Sequence, residues 1–447
     1  MSRLESRPVT ATAGFLQFGP RVRLDASHGG RGARKGLIVR SRQLIAVTAA
    51  LAAGALTLTA CGSRDDKGGA ADAGGTTVVI GVDAPLTGDL SALGLGIKNS
   101  ADLAAKQANE KKYVKGVTFK IQALDDQAQA SSGQQNATKL TADKNVLGVV
   151  GPLNSSVSEA MQKVFDDAKL AQISPANTSP SLTQGPKWNE GVKNRTYKSY
   201  FRTATTDAIQ GPFAAQYLFN KAGKKKVFII DDKKTYGSGL AGTFKGEFTK
   251  LGGQVAGEGH IDPESKDFSA IVTQVKSSGA DVVYYGGEYP AAGPLSKQIK
   301  ASGTNIPLVG GDGIYDKKYV ELAGEGATGD LATSVGAPVE SLPSAKEFVD
   351  NYKKAGYKDP FAAYGGYSYD SAWSIIEAVK KVVDDNGGKL PADARAKVLA
   401  AVQNVSFEGV TGKVSFDEFG DATNKQLTVY KVEGGDWKSV ESGTYGG

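Results

Sequence analysis

Side chains able to do chemistry gather, along this sequence, where a short apolar run gives way to a polar turn. The run 146–150 is followed by Gly151-Pro152-Leu153-Asn154-Ser155-Ser156 and then by a helix-like pattern over 157–168. Ser155 or Ser156 can therefore cap that helix, and the same helix end can take a carboxylate ligand. Ile173 is followed by Ser174-Pro175-Ala176-Asn177-Thr178-Ser179-Pro180, a polar loop whose two prolines fix its path and which suits capture of a small ligand. Three further turns have the same character. The stretch 231–241 puts Tyr236 where a helix opens, Tyr285-Gly286-Gly287-Glu288-Tyr289-Pro290 puts a carboxylate there, and Val309-Gly310-Gly311-Asp312-Gly313-Ile314 sets an aspartate among glycines that give it little steric cover.

Catalytic sets are poorly supplied. The chain has one cysteine, Cys61, and two histidines, of which only His260 lies beyond the first 60 residues. That argues against Cys-His nucleophilic pairs and against the common Cys and His metal clusters. His260 follows a Gly-rich, strand-like stretch and reads as a surface or hinge residue. Gly94-Leu95-Gly96 lacks the third glycine of a dinucleotide fingerprint, and no Gly-x-x-x-x-Gly-Lys-Ser/Thr tract occurs. The acids near Asp312 do not alternate as in a calcium loop. Asp125-Asp126 and Asp384-Asp385 are neighbours in sequence, which alone does not make an acid/base pair. No enzyme, metal or cofactor is expected.

The elements that must position these turns begin after a leader. An apolar run over 44–58 is about 15 residues, short of the ~20 needed to span a membrane, and it follows Arg40-Ser41-Arg42. It closes on Leu58-Thr59-Ala60-Cys61, which resembles a bacterial lipobox and predicts lipidation of Cys61. The Gly- and Arg-rich stretch before it has no hydrophobic periodicity, and a start near Val39 would leave a compact leader. Residues 1–60 hold nine of the 53 Lys and Arg and two of the 47 Asp and Glu, so the remainder carries 44 against 45, a net of −1 against +6 for the whole chain. No nucleic-acid partner is implied. Residues 61–76 are small, polar and Gly-rich and read as a flexible tether.

The remaining 370 or so residues suit two lobes. Val- and Ile-rich runs at 78–82, 117–124, 146–150, 227–230, 281–285 and 306–309 read as buried parallel strands. Between them apolar residues recur at helical spacing, as in Ile97, Ala101, Ala104 and Ala108. The alternation predicts doubly wound α/β sheets and restarts after Arg202, marking a lobe boundary. A long helix is expected over 368–383, with tail strands at 413–416 and 426–432. In such sheets ligands sit beyond the carboxyl ends of the strands, where the polar turns described above fall.

Taken with Pro85-Leu86-Thr87-Gly88, Leu124-Asp125-Asp126, Gln210-Gly211-Pro212, Lys266-Asp267-Phe268-Ser269-Ala270 and the tract 407–413, these segments resemble the leucine/isoleucine/valine-binding family of solute-binding proteins from ABC importers. The likeness covers nearly all of 77–447. It implies the type I periplasmic binding fold: lobe 1 from 77–205 plus 334–411, lobe 2 from 206–333 plus 412–447. Three crossings forming a hinge would lie near 203–207, 331–336 and 411–413. It also implies that Ser155, Ala176 and Thr178 hold an amino acid's α-carboxylate, that Asp312 meets its α-ammonium, and that Tyr236 and Tyr364 form an aromatic wall. Leu93 and Glu288 stand where members of that family often have aromatic residues. Glu288 is either solvated or paired with a lysine, or it selects a polar or cationic side chain. The family's first-lobe disulfide is absent, with Asn154 near one of its positions. The resemblance further implies a mostly monomeric, lipid-anchored protein on an outward-facing membrane surface, with permease and ATPase subunits as partners. An amino-acid or amide receptor built on the same fold is the alternative.

Overall fold

The computed structural model describes residues 75–445, so Cys61, the leader and the tether lie outside the described residues. The chain opens with five β-strands and four helices in alternation: β1 (Thr76–Ala84), α1 (Ser91–Glu110), β2 (Val117–Asp125), α2 (Ala130–Ala142), β3 (Val146–Val150), α3 (Ser155–Asp167), β4 (Ala171–Ser174), α4 (Ser181–Gln184) and β5 (Tyr200–Arg202). The strands form one parallel sheet in the order β2-β1-β3-β4-β5. A second set follows: α5 (Asp207–Gln216), β6 (Lys226–Asp231), α6 (Thr235–Lys250), β7 (Gln254–His260), α7 (Ser269–Ser278), β8 (Val282–Gly286), α8 (Tyr289–Ala301), β9 (Leu308–Gly310), α9 (Lys317–Ala323) and β10 (Leu331–Ser334). Its strands pair as β7-β6-β8-β9-β10, the same winding again.

The chain then returns to the first sheet with α10 (Lys346–Ala355), α11 (Gly365–Asp385) and α12 (Ala394–Val402), where α11 packs on α1 and β3. A small hairpin, β11 (Ser406–Gly409) with β12 (Gly412–Ser415), precedes β13 (Gln426–Glu433) and β14 (Asp436–Thr444). These last two strands extend the second sheet antiparallel, β13 pairing with β10.

Continuous apolar strands are what a sheet covered on both faces requires. In β1, Val78, Ile80 and Val82 pack toward α1 and α11, while Val79 joins Leu140, Met161 and Phe165 under α2 and α3. In β6 the same division sends Phe228 and Ile230 one way and Val227 and Ile229 the other. Each apolar residue is buried because a helix covers both sides, and the connections wind about the strand that comes first.

The first passage between sheets runs through 203–206 and the second begins after β10. The third comes later than the expected 411–413. The fully buried Arg202 lies 2.8 Å from the Asp421 carboxylate, and its main-chain N–H donates to Gly420. Gln184 donates to the other oxygen of Asp421 at 2.9 Å. The chain is thus held to the first lobe until Ala422 and crosses only just before β13. Arg202 also donates to the carbonyls of Asn177 and Ser179 and to the Thr183 hydroxyl, so the guanidinium fixes the path of the loop after β4. Removing one partner of such a pair strands a buried charge. Arg202→Met should destabilise the protein by about 3–5 kcal/mol in urea unfolding, and Arg202→Met with Asp421→Leu by less than the two single changes added.

Candidate functional site

In both lobes the winding reverses at the first strand, between β1 and β3 and between β6 and β8, and the crevice at such a point is where loops part to admit a ligand. The loops after those strands face one another. Leu93 comes from the start of α1, Leu153, Asn154 and Ser155 from beyond β3, and Ala176 from beyond β4. Tyr236 opens α6, Glu288 follows β8, Asp312 and Gly313 follow β9, and Tyr364 precedes α11. Together these ten residues enclose a cavity of about 20 Å³. That is room for about one water molecule, so anything larger enters only if the walls part. A larger crevice of about 430 Å³ lies at the opposite end of the first sheet, and none of the residues singled out in the sequence line it.

Asp312 is the centre of the second lobe's half. It is 1% exposed, and its carboxylate accepts three bonds: from Tyr236 at 2.9 Å, from the Gln210 amide at 2.9 Å and from Tyr364 at 2.8 Å. Burial raises its pKa, and those three bonds oppose the rise. Burial, then the Asp312 charge, pushes both tyrosines well above their ordinary pKa and keeps them as donors. The glycines around Asp312 do not expose it, as the sequence suggested. They let Tyr236 come down on it: a Cβ on Gly311 would stand 2.5 Å from the Tyr236 oxygen, and one on Gly313 would stand 2.9 Å from its ring. Tyr364 reaches Asp312 from the first lobe, so this carboxylate joins the lobes.

Behind it stands a second buried acid. The Gln210 amide donates at 2.9 Å to Asp207 as well as to Asp312, and its oxygen accepts from Thr333 and from the Asp312 main-chain N–H. Burial first, then repulsion from Asp312, raises the Asp207 pKa to about 8. Thr178 does not line the cavity. Its hydroxyl lies 3.0 Å from Asp207 and its carbonyl accepts the Asp207 N–H, so this threonine ties the first lobe's loop to the start of α5.

On the first lobe's side Asn154, not a serine, is the residue that caps α3, and it makes no side-chain cap bond. Ser155 is the first helical residue; its hydroxyl is buried, unpartnered and on the cavity wall. Asn154 instead reaches across the cleft and donates to Glu288 at 2.5 Å, while Lys234 stands 3.6 Å from the other Glu288 oxygen. A Thr235–Glu159 bond at 3.1 Å and a Tyr289–Asp89 bond also span the lobes.

Six of the seven positions singled out for ligand contact therefore line one cavity: Ser155, Ala176, Tyr236, Glu288, Asp312 and Tyr364. Sequence reasoning missed the parts played by Asn154, Asp207 and Gln210. Each lies in a tract it had noted, but nothing in the chain order pairs Asn154 with Glu288 or Gln210 with two acids. Among the described residues no cluster of three His, Cys, Asp or Glu side chains could hold a metal ion. His260 is exposed at the end of β7, beside Asp231.

Two α/β lobes of one winding, closing strand-end loops over a shared polar cavity, define a two-lobed small-molecule binding protein. The profile of the periplasmic binding protein family matches residues 77–436, and the chain belongs to that family. It is 31% identical over 358 residues to Leu/Ile/Val-binding protein homolog 1 of Brucella suis, covering 80% of this chain and 91% of that one. The Leu/Ile/Val-binding protein BraC3 of Rhizobium johnstonii is also 31% identical, with 80% and 92% covered. Among solved structures, the leucine-binding protein LivK of Thermotoga maritima superposes with a TM-score of 0.72 at 28% identity, covering 82% of this chain and 98% of that one. The branched-chain amino acid transporter substrate-binding protein LivJ of Streptococcus pneumoniae, solved with isoleucine, gives 0.72 at 25%, with 82% and 99% covered.

An acid whose folded pKa lies above its unfolded value stabilises the fold below the unfolded value, near pH 4, and loses that contribution as pH rises through the folded value. Asp207 should therefore make the protein progressively less stable between about pH 4 and pH 8. Asp207→Asn should flatten that part of a melting-temperature profile measured from pH 4 to pH 9; an unchanged slope would place the titration elsewhere.

Proposed function

We propose that this chain is the extracytoplasmic substrate-binding component of an ABC importer, capturing an α-amino acid of the branched-chain class between its two lobes and delivering it to a permease. The observation that carries the reading is the pairing, in one cavity, of a free helix-start hydroxyl with a buried aspartate on the opposite lobe. Ser155 and the first N–H groups of α3 suit a carboxylate, and Asp312 suits an ammonium, so an α-amino acid spans both half-sites. The relatives named above carry leucine, isoleucine and valine in their descriptions, which sets the ligand class to try first. No bond is made or broken in this role, and the chain acts by binding alone.

Binding on this account begins with the lobes apart, turning about the three passages. The lobes are 77–205 with 334 to about 422, and 206–333 with the rest. The ammonium takes a place at Asp312, which three neutral donors already surround, while Ser155 and Ala176 form the first lobe's side and Thr178, bonded to Asp207, fixes the loop that carries Ala176. A lipid on Cys61, with 62–76 as tether, would keep the protein beside its permease and ATPase partners on the outer face of a membrane. Among the described residues no helix is long and apolar enough to cross one.

Titrating the full chain with each proteinogenic amino acid and following its melting temperature tests the reading directly. A ligand at 100 times its Kd adds about 2.7 kcal/mol of stability. Stabilisation by leucine, isoleucine or valine is expected, whereas silence across the whole set would remove the importer assignment. Asp312→Asn and Thr178→Val should each weaken binding roughly tenfold or more in calorimetry, with the fold retained by circular dichroism. Cys61→Ser should abolish incorporation of labelled fatty acid and release the protein from membranes; continued labelling would rule out that anchor.

A further inference from the structure

Where Asn154 meets Glu288, the cavity wall holds an acceptor that lacks a donor. Asn154 is 5% exposed, and its amide orientation is set by Glu288: a carboxylate only accepts, so the NH₂ group must face it. The Asn154 Oδ1 is left buried and without a partner on the cavity wall. Glu288 is scarcely better supplied, because its second oxygen has only the Lys234 ammonium, 3.6 Å away. That one lysine serves two acids. Asp232 is 3% exposed, accepts the Lys234 main-chain N–H at 2.9 Å and keeps its Oδ2 without a partner. An acceptor buried without a donor is costly, and a ligand that brings the donor recovers the loss.

Glu288 is also a partition. On its far side lies a second cavity of about 300 Å³, lined by Glu288 and Lys234 together with Thr87, Asp89, Gln129 and Glu264. A side chain that draws the Glu288 carboxylate to itself passes from the small inner cavity toward this larger one, where the Glu288, Asp89 and Glu264 carboxylates stand with Lys234, and Asp89 lies 3.7 Å from Lys266. A longer side chain thus has room, and its end meets acceptors.

We infer that, among unbranched amino acids with side chains long enough to reach Glu288, the site prefers those that end in hydrogen-bond donors, an amide or a cation, over aliphatic ones of similar length, and that Glu288 with Asn154 recognises that end. The inference rests on the amino-acid reading of the same site. It concerns the far end of the ligand and leaves the α-carboxylate and α-ammonium contacts as they are.

Calorimetric titration of the full chain with matched pairs tests it: glutamine against methionine, and lysine against norleucine. At least one donor-bearing member should bind about tenfold or more tightly than its aliphatic partner, since a site built to bond a polar group rejects the analogue lacking it. Glu288→Leu should erase or invert that ratio. If that variant fails to fold, Glu288→Gln should lose any preference for lysine, because the amide offers one acceptor and no charge. Methionine and norleucine binding as well as glutamine and lysine, or a ratio that survives both substitutions, overturns the inference. Binding of leucine alongside such a result would leave the amino-acid reading intact, and failure of every amino acid to bind would remove both.

Discussion

The carboxylate of Asp312 is the constraint on which the site depends. A buried carboxylate must be surrounded by donors or protonated, and this one is met by two tyrosines and a glutamine from three different elements. Meeting that need determines much nearby. Gly311 and Gly313 must lack side chains so that Tyr236 can approach, Gln210 must point inward from α5, and Tyr364 must come from the other lobe. Because the donors are uncharged, the negative charge is solvated by dipoles and remains available to a cation. A lysine or arginine in place of either tyrosine would cancel it.

The first lobe answers with a different device. Its contribution at the cleft is a helix start, where main-chain N–H groups lack helical acceptors and Ser155 adds a free hydroxyl. One lobe thus offers donors and the other an acceptor, an arrangement matched to a zwitterion across the gap. The Arg202–Asp421 pair supports this at a distance: by binding the carbonyls of Asn177 and Ser179 it holds in place the loop that carries Ala176 and Thr178.

Much of this was legible in the sequence for a definite reason. Strands β1, β3, β6 and β8 are covered on both faces, so their apolar runs are unbroken and their ends are sharp, and a sharp strand end identifies the loop that follows it. Strand β7, at a sheet edge and only partly buried, and the exposed β14 lack that signature. Six cavity-lining positions could be named because they stand on such loops. What could not be read was partnership. The bond between Asn154 and Glu288, like the bracket that Gln210 makes between two aspartates, joins residues more than a hundred positions apart or buried acids whose closeness depends on the fold. The steric reading of the Asp312 glycines failed for the same cause: absent side chains leave space, and only the tertiary structure says that Tyr236 fills it. The third passage was placed too early because nothing local shows that Asp421 belongs to Arg202.

The bonds that span the cleft have a kinetic consequence. Tyr364 with Asp312 and Asn154 with Glu288 close the lobes on each other through the groups that the proposed function gives to the ligand, around a space of about 20 Å³. Ligand and latch therefore compete, and a shut molecule cannot be entered until the latch breaks. Capture becomes a gated process whose observed rate rises with solute concentration and then levels off at the frequency of spontaneous opening. At high solute the bonds across the cleft then set the rate of capture, and for a scarce solute their strength sets the open fraction that diffusion can find.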